Sequence, residues 1–211
     1  MQALLLKDIL MLQKQIKMML WLLLIISIAA FIFEQGVMLI SVALIFGTLQ
    51  VTTVFVFDES CQWDKFAGSL PVNKKDIVQS RYVLGFVLTI GSLLIVTPIL
   101  FIVNLFTMQL PFHYVVALLA VSLFGALFML AILLPINIKF GSQKGRLITT
   151  CVFLLPTFTA SFITGFVEGK ENLFPPFETL VVMSYALPFI AFIIVLFSYQ
   201  LSVVLYRKKQ F

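Results

Sequence analysis

The chain contains 211 residues, of which 62% are hydrophobic and only 11% are charged, and its mean hydropathy is +1.13. Soluble domains are about 45–50% apolar and about 25% charged, so this chain has too few polar side chains to cover a water-soluble surface. Ten glycines, eight prolines and two cysteines also exclude collagen-like and disulfide-scaffold classes. The composition predicts an all-α membrane protein with one transmembrane domain over residues 1–211 and about six spans.

The N-terminal segment, residues 1–17, is amphipathic. Leu5, Ile9, Leu12 and Ile16 share one face of a helix. The charged residues of this segment, Lys7, Asp8, Lys14 and Lys17, predict an interfacial helix that turns its lysines toward lipid headgroups or water. The alternative is a simple extension of the first span. Polar breaks then separate six apolar runs, which we predict to be spans: residues 18–33, 37–57, 82–106, 114–138, 147–167 and 180–206.

The basic residues indicate the orientation of the chain. Of the 14 Lys and Arg, all except Lys170 fall in the N-terminal segment, in the loops after spans two and four, and in the C-terminal tail. The positive-inside rule therefore places both termini in the cytoplasm. The second of these cytoplasmic loops is a compact basic turn with Lys139, Lys144 and Arg146.

Groups that could carry out catalysis are scarce. No charged residue lies in the middle of a predicted span, whereas ion-coupled carriers and pumps need an ionisable group at that depth. The cysteines, Cys61 and Cys151, are far apart, the chain has one histidine, and no P-loop motif is present. We therefore expect no enzyme active site, no metal site and no cofactor in this chain. If ATP drives its function, a different polypeptide binds the ATP.

The segment between spans two and three, residues 58–71, is the most informative. Trp63, Phe66, Ala67 and Leu70 form one apolar stripe at helical spacing, with polar residues on the other faces and Pro71 at the end. Asp58 and Glu59 would lie in the first turn, where acids favour the helix dipole. After Pro71, Asn73 is a candidate N-cap of the next helix. The aromatic side chains either sit in the membrane interface or dock into a groove on a cytoplasmic partner, and the pattern leaves both interpretations open.

Four stretches together resemble a known family. They are Lys7-Asp8, the run DESCQWDKFAGSLPVNKKDIVQSRY at 58–82, the run KFGSQKGR at 139–146 and the closing run YRKKQF at 206–211. Over essentially the whole chain they resemble the small six-span permeases of the ABC-2 type, the membrane subunits of bacterial ABC exporters. Some similar permeases belong to systems that export phenol-soluble modulins or protect against antimicrobial peptides.

The resemblance implies a permease in a bacterial cell membrane. It would pair with a second permease chain, the same or homologous, and with two copies of an ABC ATPase that bind ATP and Mg. No nucleic acid is implied. Residues 1–17 would be the connecting helix of such permeases, and residues 58–70 the coupling helix that contacts the ATPase. The coupling residues would be Asp58, Glu59, Trp63, Asp64, Lys65, Phe66 and Leu70.

The resemblance also suggests that an amphipathic substrate, such as a peptide, moves outward by alternating access along spans one, two and five. The polar candidates on this path are Thr48, Gln50, Thr52, Thr53, Thr157, Thr159, Ser161 and Thr164, for which hydrogen bonding between helices is the simpler interpretation. Two other functions are compatible with the sequence: a membrane scaffold or sensor that transports nothing, and a facilitative channel.

Overall fold

The computed structural model describes residues 2–32, 36–63, 66–67, 73–107, 111–167 and 177–208, and these residues form an all-α fold. The side chains of residues 36–46 and 152–167 lie outside the description. Within these residues, the helices of eight residues or more are, in chain order, α1 (Gln2–Ile32), α2 (Gly36–Ser60), α3 (Lys74–Thr107), α4 (Phe112–Val167), α5 (Phe177–Ser184) and α6 (Leu187–Lys208).

Three stretches of the described residues are long and apolar enough to cross a membrane. They are Lys74–Phe106, Phe112–Ser142 and Val181–Lys208, and Leu4–Gln13 with Gln15–Ala29 makes a fourth if this bent pair is one span. The chain is thus a multi-pass membrane protein with three to four candidate spans among the described residues. The predicted spans at 37–57 and 147–167 fall largely on residues whose side chains lie outside the description.

Helix α1 is bent, and three of its four predicted apolar residues, Leu5, Leu12 and Ile16, pack in one core with α2 and α3. The axes of Leu4–Gln13 and Gln15–Ala29 differ by 49°, so the bend falls inside the segment predicted to be interfacial. Leu12 is fully buried, but Ile9 is 43% exposed and Asp8 is only 1% exposed. Asp8 lies four residues before Leu12 and therefore on the same side of the helix, and the apolar spacing alone gave no sign of its burial.

The start of α3 was predicted correctly. The helix begins at Lys74, directly after Asn73, whose carbonyl oxygen accepts a hydrogen bond from the Asp76 backbone N–H at 2.9 Å. Asp76 lies in the first turn, where a negative charge is stabilised by the helix dipole.

Helix α4 turns sharply inside the predicted basic turn. Gly141 has φ 77° and ψ 177°, a conformation that is not helical. A Cβ atom placed on Gly145 would lie 3.5 Å from the Cα atom of Asn137. Eight residues of straight helix would separate these positions by about 12 Å, so the chain folds back on itself here. The polar run KFGSQKGR is therefore the turn between two helical halves of α4.

The last predicted span is interrupted near its start. Helix α5 ends at Ser184, residues 185–186 form a turn, and α6 begins at Leu187. Pro188 explains the interruption, because proline has no backbone N–H and its ring clashes with a preceding helical turn.

Polar and small residues of α6 pack against α3 and α4. The buried stripe of α6 consists of Ala191, Val195, Ser198, Ser202 and Tyr206. The Tyr82 hydroxyl of α3 lies 2.7 Å from Ser198 Oγ and 2.8 Å from Ser202 Oγ, and Ser198 Oγ donates to the carbonyl oxygen of Ala131 in α4 at 2.5 Å. Small residues allow close helix approach, and hydroxyl bonds join the helices where water is absent.

Replacing Tyr82 with phenylalanine should lower the free energy of unfolding by about 1 kcal/mol, because two interhelical hydrogen bonds are lost while the ring is kept. The measurement is unfolding of the purified chain in mixed micelles. Tyr199→Phe is the matched control, since the Tyr199 ring packs edge-on against Tyr82 at 5.4 Å and that contact survives the substitution. Equal stability of Tyr82→Phe and the wild type would contradict the role given to the hydroxyl.

Candidate functional site

Five segments that carry most of the basic residues meet at one end of the molecule. We call this the basic end: the start of α1, the end of α2, the start of α3, the turn at Gly141 and the end of α6. Contacts between side chains of these segments define it, including a hydrogen bond from Lys74 Nζ to the carbonyl oxygen of Arg207 at 3.4 Å. At the opposite end, the Tyr185 hydroxyl donates to the carbonyl oxygen of His113 at 3.1 Å.

Four charged side chains at the basic end form what we call the ion cluster: Lys7 and Asp8 of α1, Asp58 of α2 and Arg81 of α3. Arg81 Nη1 lies 2.7 Å from Asp8 Oδ2, and Arg81 Nη2 contacts Asp58 Oδ2. Lys7 Nζ lies 2.8 Å from Asp58 Oδ1 and 3.2 Å from Asp8 Oδ1. Each of the two acids therefore contacts both bases, and the cluster joins three helices.

The ion cluster is enclosed by the protein. Asp8, Asp58 and Arg81 are each no more than 5% exposed, and a cavity of about 20 Å³ lies between Asp58, Arg81 and Tyr206. That volume has room for about one water molecule. Two acids and two bases make the cluster neutral, so its charges are paired in a place where an unpaired charge would be costly.

The Trp63 segment, which we define by the described residues 61–63, 66 and 67, is packed against the cluster. Lys7 Nζ lies 3.8 Å from the centre of the Trp63 ring, a cation–π contact. Ala67 is buried in the largest apolar core and Trp63 packs against the same core. Phe66, whose ring centre is 5.5 Å from that of Trp63, is 56% exposed. The predicted single stripe is thus divided: Trp63 and Ala67 face the protein, and Phe66 faces outward.

Glu59 connects the end of α2 to the turn in α4. Its Oε2 atom accepts a hydrogen bond from the Ser142 backbone N–H at 2.8 Å and another from Ser142 Oγ. Gly141 lies directly beneath the carboxylate, since a Cβ atom there would be 3.1 Å from Glu59 Oε1. One acidic side chain thereby holds both residues at the centre of the turn.

The predicted position of the two acids in the first turn of a new helix is wrong. Helix α2 continues through Ser60, so Asp58 and Glu59 lie in its last turn, and Gln62 with φ 51° breaks the helix before Trp63. Negative charge is unfavourable at a helix C-terminus. The partners of these acids offset that cost: Lys7 and Arg81 for Asp58, and the backbone N–H of Ser142 for Glu59.

The other residues predicted to contact an ATPase or the membrane interface are scattered. Lys17, Lys139 and Lys144 are exposed, and Lys139 Nζ lies 5.0 Å from the centre of the Phe140 ring. Several positions lie outside the description: residues Asp64, Lys65 and Leu70, and the side chains of Lys14 and Arg146.

The candidate substrate-path residues are not brought into one described cavity. Thr48 is buried, and Gln50, Thr52 and Thr53 are half-buried on α2. Positions 157, 159, 161 and 164 have helical backbone in α4, and their side chains lie outside the description. Among the described residues, no three His, Cys, Asp or Glu side chains are close enough to hold a metal ion.

Sequence reasoning missed Arg81 and Ser142 as site residues. Arg81 was counted only as a basic residue of a loop, and Ser142 was one letter in a basic turn. Both lie in stretches that carry the family resemblance, and that was the available signal. Asp8 and Asp58 were recognised as charges, but nothing in their spacing shows that they share one arginine.

The family described as ABC-2 family transporter protein matches residues 3–207, nearly the whole chain, without indicating a particular exporter system. Searches of curated proteins and of solved structures returned no significant match. Permeases of this family contain no ATPase domain and work with an ABC ATPase. The matched range covers all four members of the ion cluster and the Trp63 segment. This chain therefore belongs to the ABC-2 family and is a membrane component of a transporter.

Proposed function

We propose that this chain is the permease subunit of an ATP-driven exporter and that its basic end docks on a separate ATPase through the Trp63 segment. One observation carries the proposal: Phe66 is 56% exposed on a helical turn that is itself anchored to the core. Exposed aromatic side chains on a rigid support are typical energetic centres of protein interfaces. A docked partner would pull on a segment that is tied to three helices.

The charges of the basic end favour the same orientation. Six spans with both termini in the cytoplasm would place this whole end at the inner membrane surface, where an ATPase and its nucleotide are found. Asp58 is 5% exposed and its two carboxylate oxygens contact Lys7 and Arg81, so its role in this scheme is internal. We therefore assign the docking contact to Phe66 and the support to Trp63 and the ion cluster.

The complete transporter would contain two permease chains, the same or homologous, and two ATPase subunits that bind ATP and Mg. Nucleotide binding would shift the permease pair from an inward-facing to an outward-facing population. Resemblance to peptide exporters supports an amphipathic peptide as the substrate. The half-buried polar groups of Gln50, Thr52 and Thr53 on an otherwise apolar α2 are compatible with such a substrate.

Replacing Phe66 with alanine should reduce the amount of ATPase that co-purifies with the tagged chain in mild detergent. Truncating an aromatic interface centre costs about 2 kcal/mol or more, which corresponds to about a thirtyfold loss of affinity. Phe189→Ala is the matched control, because Phe189 is 75% exposed near the opposite end of α6. Unchanged co-purification and unchanged ATP-dependent transport in Phe66→Ala would overturn the docking assignment.

The same preparation separates the exporter from the two other functions. In reconstituted vesicles, an exporter moves substrate only with ATP, and its hydrolysis rate responds to substrate. A scaffold would bind its partner without any flux. A channel would show conductance without ATP. Either of the last two results would overturn the proposal.

A further inference from the structure

The contact between Glu59 and Ser142 joins two turns of the basic end that are far apart in sequence. Glu59 precedes the Trp63 segment directly, and Ser142 begins the second half of α4. The carboxylate accepts both the backbone N–H and the hydroxyl of Ser142. Ser142 is 5% exposed, so this contact is shielded from competing water on the Ser142 side.

Electrostatics favours the contact from both of its ends. The last turn of α2 repels the negative charge of Glu59, whereas the backbone N–H groups that follow Gly141 attract it. The negative charge of Glu59 is therefore stabilised by the start of the second half of α4 and not by its own helix end. Because of this contact, a displacement of residues 59–63 would pull the turn in α4 in the same direction.

The ion pairs of the ion cluster join a different set of helices. Among the described residues, the four pairs made by Lys7, Asp8, Asp58 and Arg81 connect α1, α2 and α3. The carboxylate of Glu59 makes the contact from the α2 end to the turn at Gly141. Residues next to each other in sequence, Asp58 and Glu59, thus point to two different groups of helices.

We propose that Glu59 is a positioning residue that transmits movement of the Trp63 segment to the second half of α4. This inference rests on the proposed function, since the movement is supplied by the docked ATPase. Glu59 makes no contact with substrate in this scheme. It sets the position of α4 after Gly141 relative to the end of α2, so that both move together during the transport cycle.

The two native cysteines allow this coupling to be measured directly. Cys61 lies two residues after Glu59, Cys151 lies nine residues after Ser142, both are exposed, and the chain contains no others. Spin labels on this pair report the distance between the two elements by electron spin–spin coupling. Single-cysteine variants, Cys61→Ser and Cys151→Ser, record distances between chain copies so that these can be subtracted.

In the wild-type complex, we expect the same narrow Cys61–Cys151 distance without nucleotide and with a non-hydrolysable ATP analogue. In Glu59→Ala, the distance should broaden and change with nucleotide. Transport should fall about tenfold while ATP hydrolysis by the bound ATPase continues. Ser142→Ala keeps the backbone hydrogen bond, so its distance distribution and its transport rate should lie between those of the wild type and of Glu59→Ala. Ser142→Thr keeps a hydroxyl group and should therefore behave like the wild type. A merely stabilising contact would lower yield without changing the ratio of transport to hydrolysis.

The outcomes distinguish this inference from the proposed function. If no ATPase binds the wild-type chain, the proposed function fails. The Cys61–Cys151 distance in the chain alone, compared between the wild type and Glu59→Ala, then still tests whether the contact between Glu59 and Ser142 positions α4. If the ATPase binds and Glu59→Ala keeps the wild-type distances and the wild-type ratio of transport to hydrolysis, the positioning role is overturned and docking stands.

Discussion

Replacing Arg81 with methionine is expected to lower the free energy of unfolding by about 3–5 kcal/mol, because the change leaves two buried acids without their shared cation. Asp8 is 1% exposed and Asp58 is 5% exposed, so neither carboxylate can be rehydrated without opening the interface between helices. Lys7 remains, but one ammonium group cannot neutralise both acids. Denaturant titration of the purified chain in mixed micelles measures the loss.

Two comparisons make the prediction specific. Arg207→Met applies the same substitution to an exposed arginine at the same end and should change the free energy of unfolding by no more than about 0.5 kcal/mol. The triple variant Asp8→Asn, Asp58→Asn, Arg81→Met removes the stranded charges as well, so it should be more stable than Arg81→Met alone. A triple variant that is less stable than the single variant would contradict the paired arrangement of the ion cluster.

The ion cluster gives the basic end a rigid frame. Three helices are tied through four charges, and Tyr82, the residue after Arg81, ties α3 to α6 on its other side. In the proposed exporter, movement applied at the Trp63 segment would be distributed to α1, α2, α3 and α6, and Glu59 would add the second half of α4.

Local signals in the sequence predicted two breaks between helices correctly. Asn73 marks the start of α3, and the run containing Gly141 marks the turn in α4. These features depend on backbone chemistry within a few residues: a cap and a glycine with positive φ. The long apolar runs likewise predicted an all-α membrane fold, because a continuous apolar segment satisfies its own backbone groups in lipid as a helix.

Contacts between distant residues could not be predicted in this way. Asp8, Asp58 and Arg81 are separated by 50 and 23 positions, and each taken alone resembles an ordinary charge near the membrane surface. Apolar spacing also gave no sign that Asp8 is buried, since apolar character was the only criterion. The same limit hid the Glu59–Ser142 contact, which depends on how α2 and α4 meet. Burial of a charge depends on how the helices pack, and local patterns in a single sequence do not show which distant residues come together.

Replacing Gly141 with alanine is the second change for which we expect a large effect. The backbone there has φ 77° and ψ 177°, a region that is occupied almost entirely by glycine, and a side chain in it costs about 1–3 kcal/mol. The new methyl group would also lie 3.1 Å from Glu59 Oε1, so the carboxylate has to shift by a few tenths of an ångström. The unfolding free energy should fall, and the distribution of Cys61–Cys151 distances should broaden, as we expect for Glu59→Ala.

Gly125→Ala is the matched control for this substitution. Gly125 lies inside the first half of α4 with ordinary helical geometry, and a Cβ atom there meets nothing within 4 Å. Alanine should raise stability slightly at that position, by about 0.5–1 kcal/mol, because it favours a helix more than glycine does. The two substitutions add the same methyl group to the same helix, so opposite signs isolate the backbone requirement of the turn. If the Gly141→Ala chain is as stable as the wild type and its Cys61–Cys151 distance is unchanged, then the turn and the contact between Glu59 and Ser142 do not constrain α4.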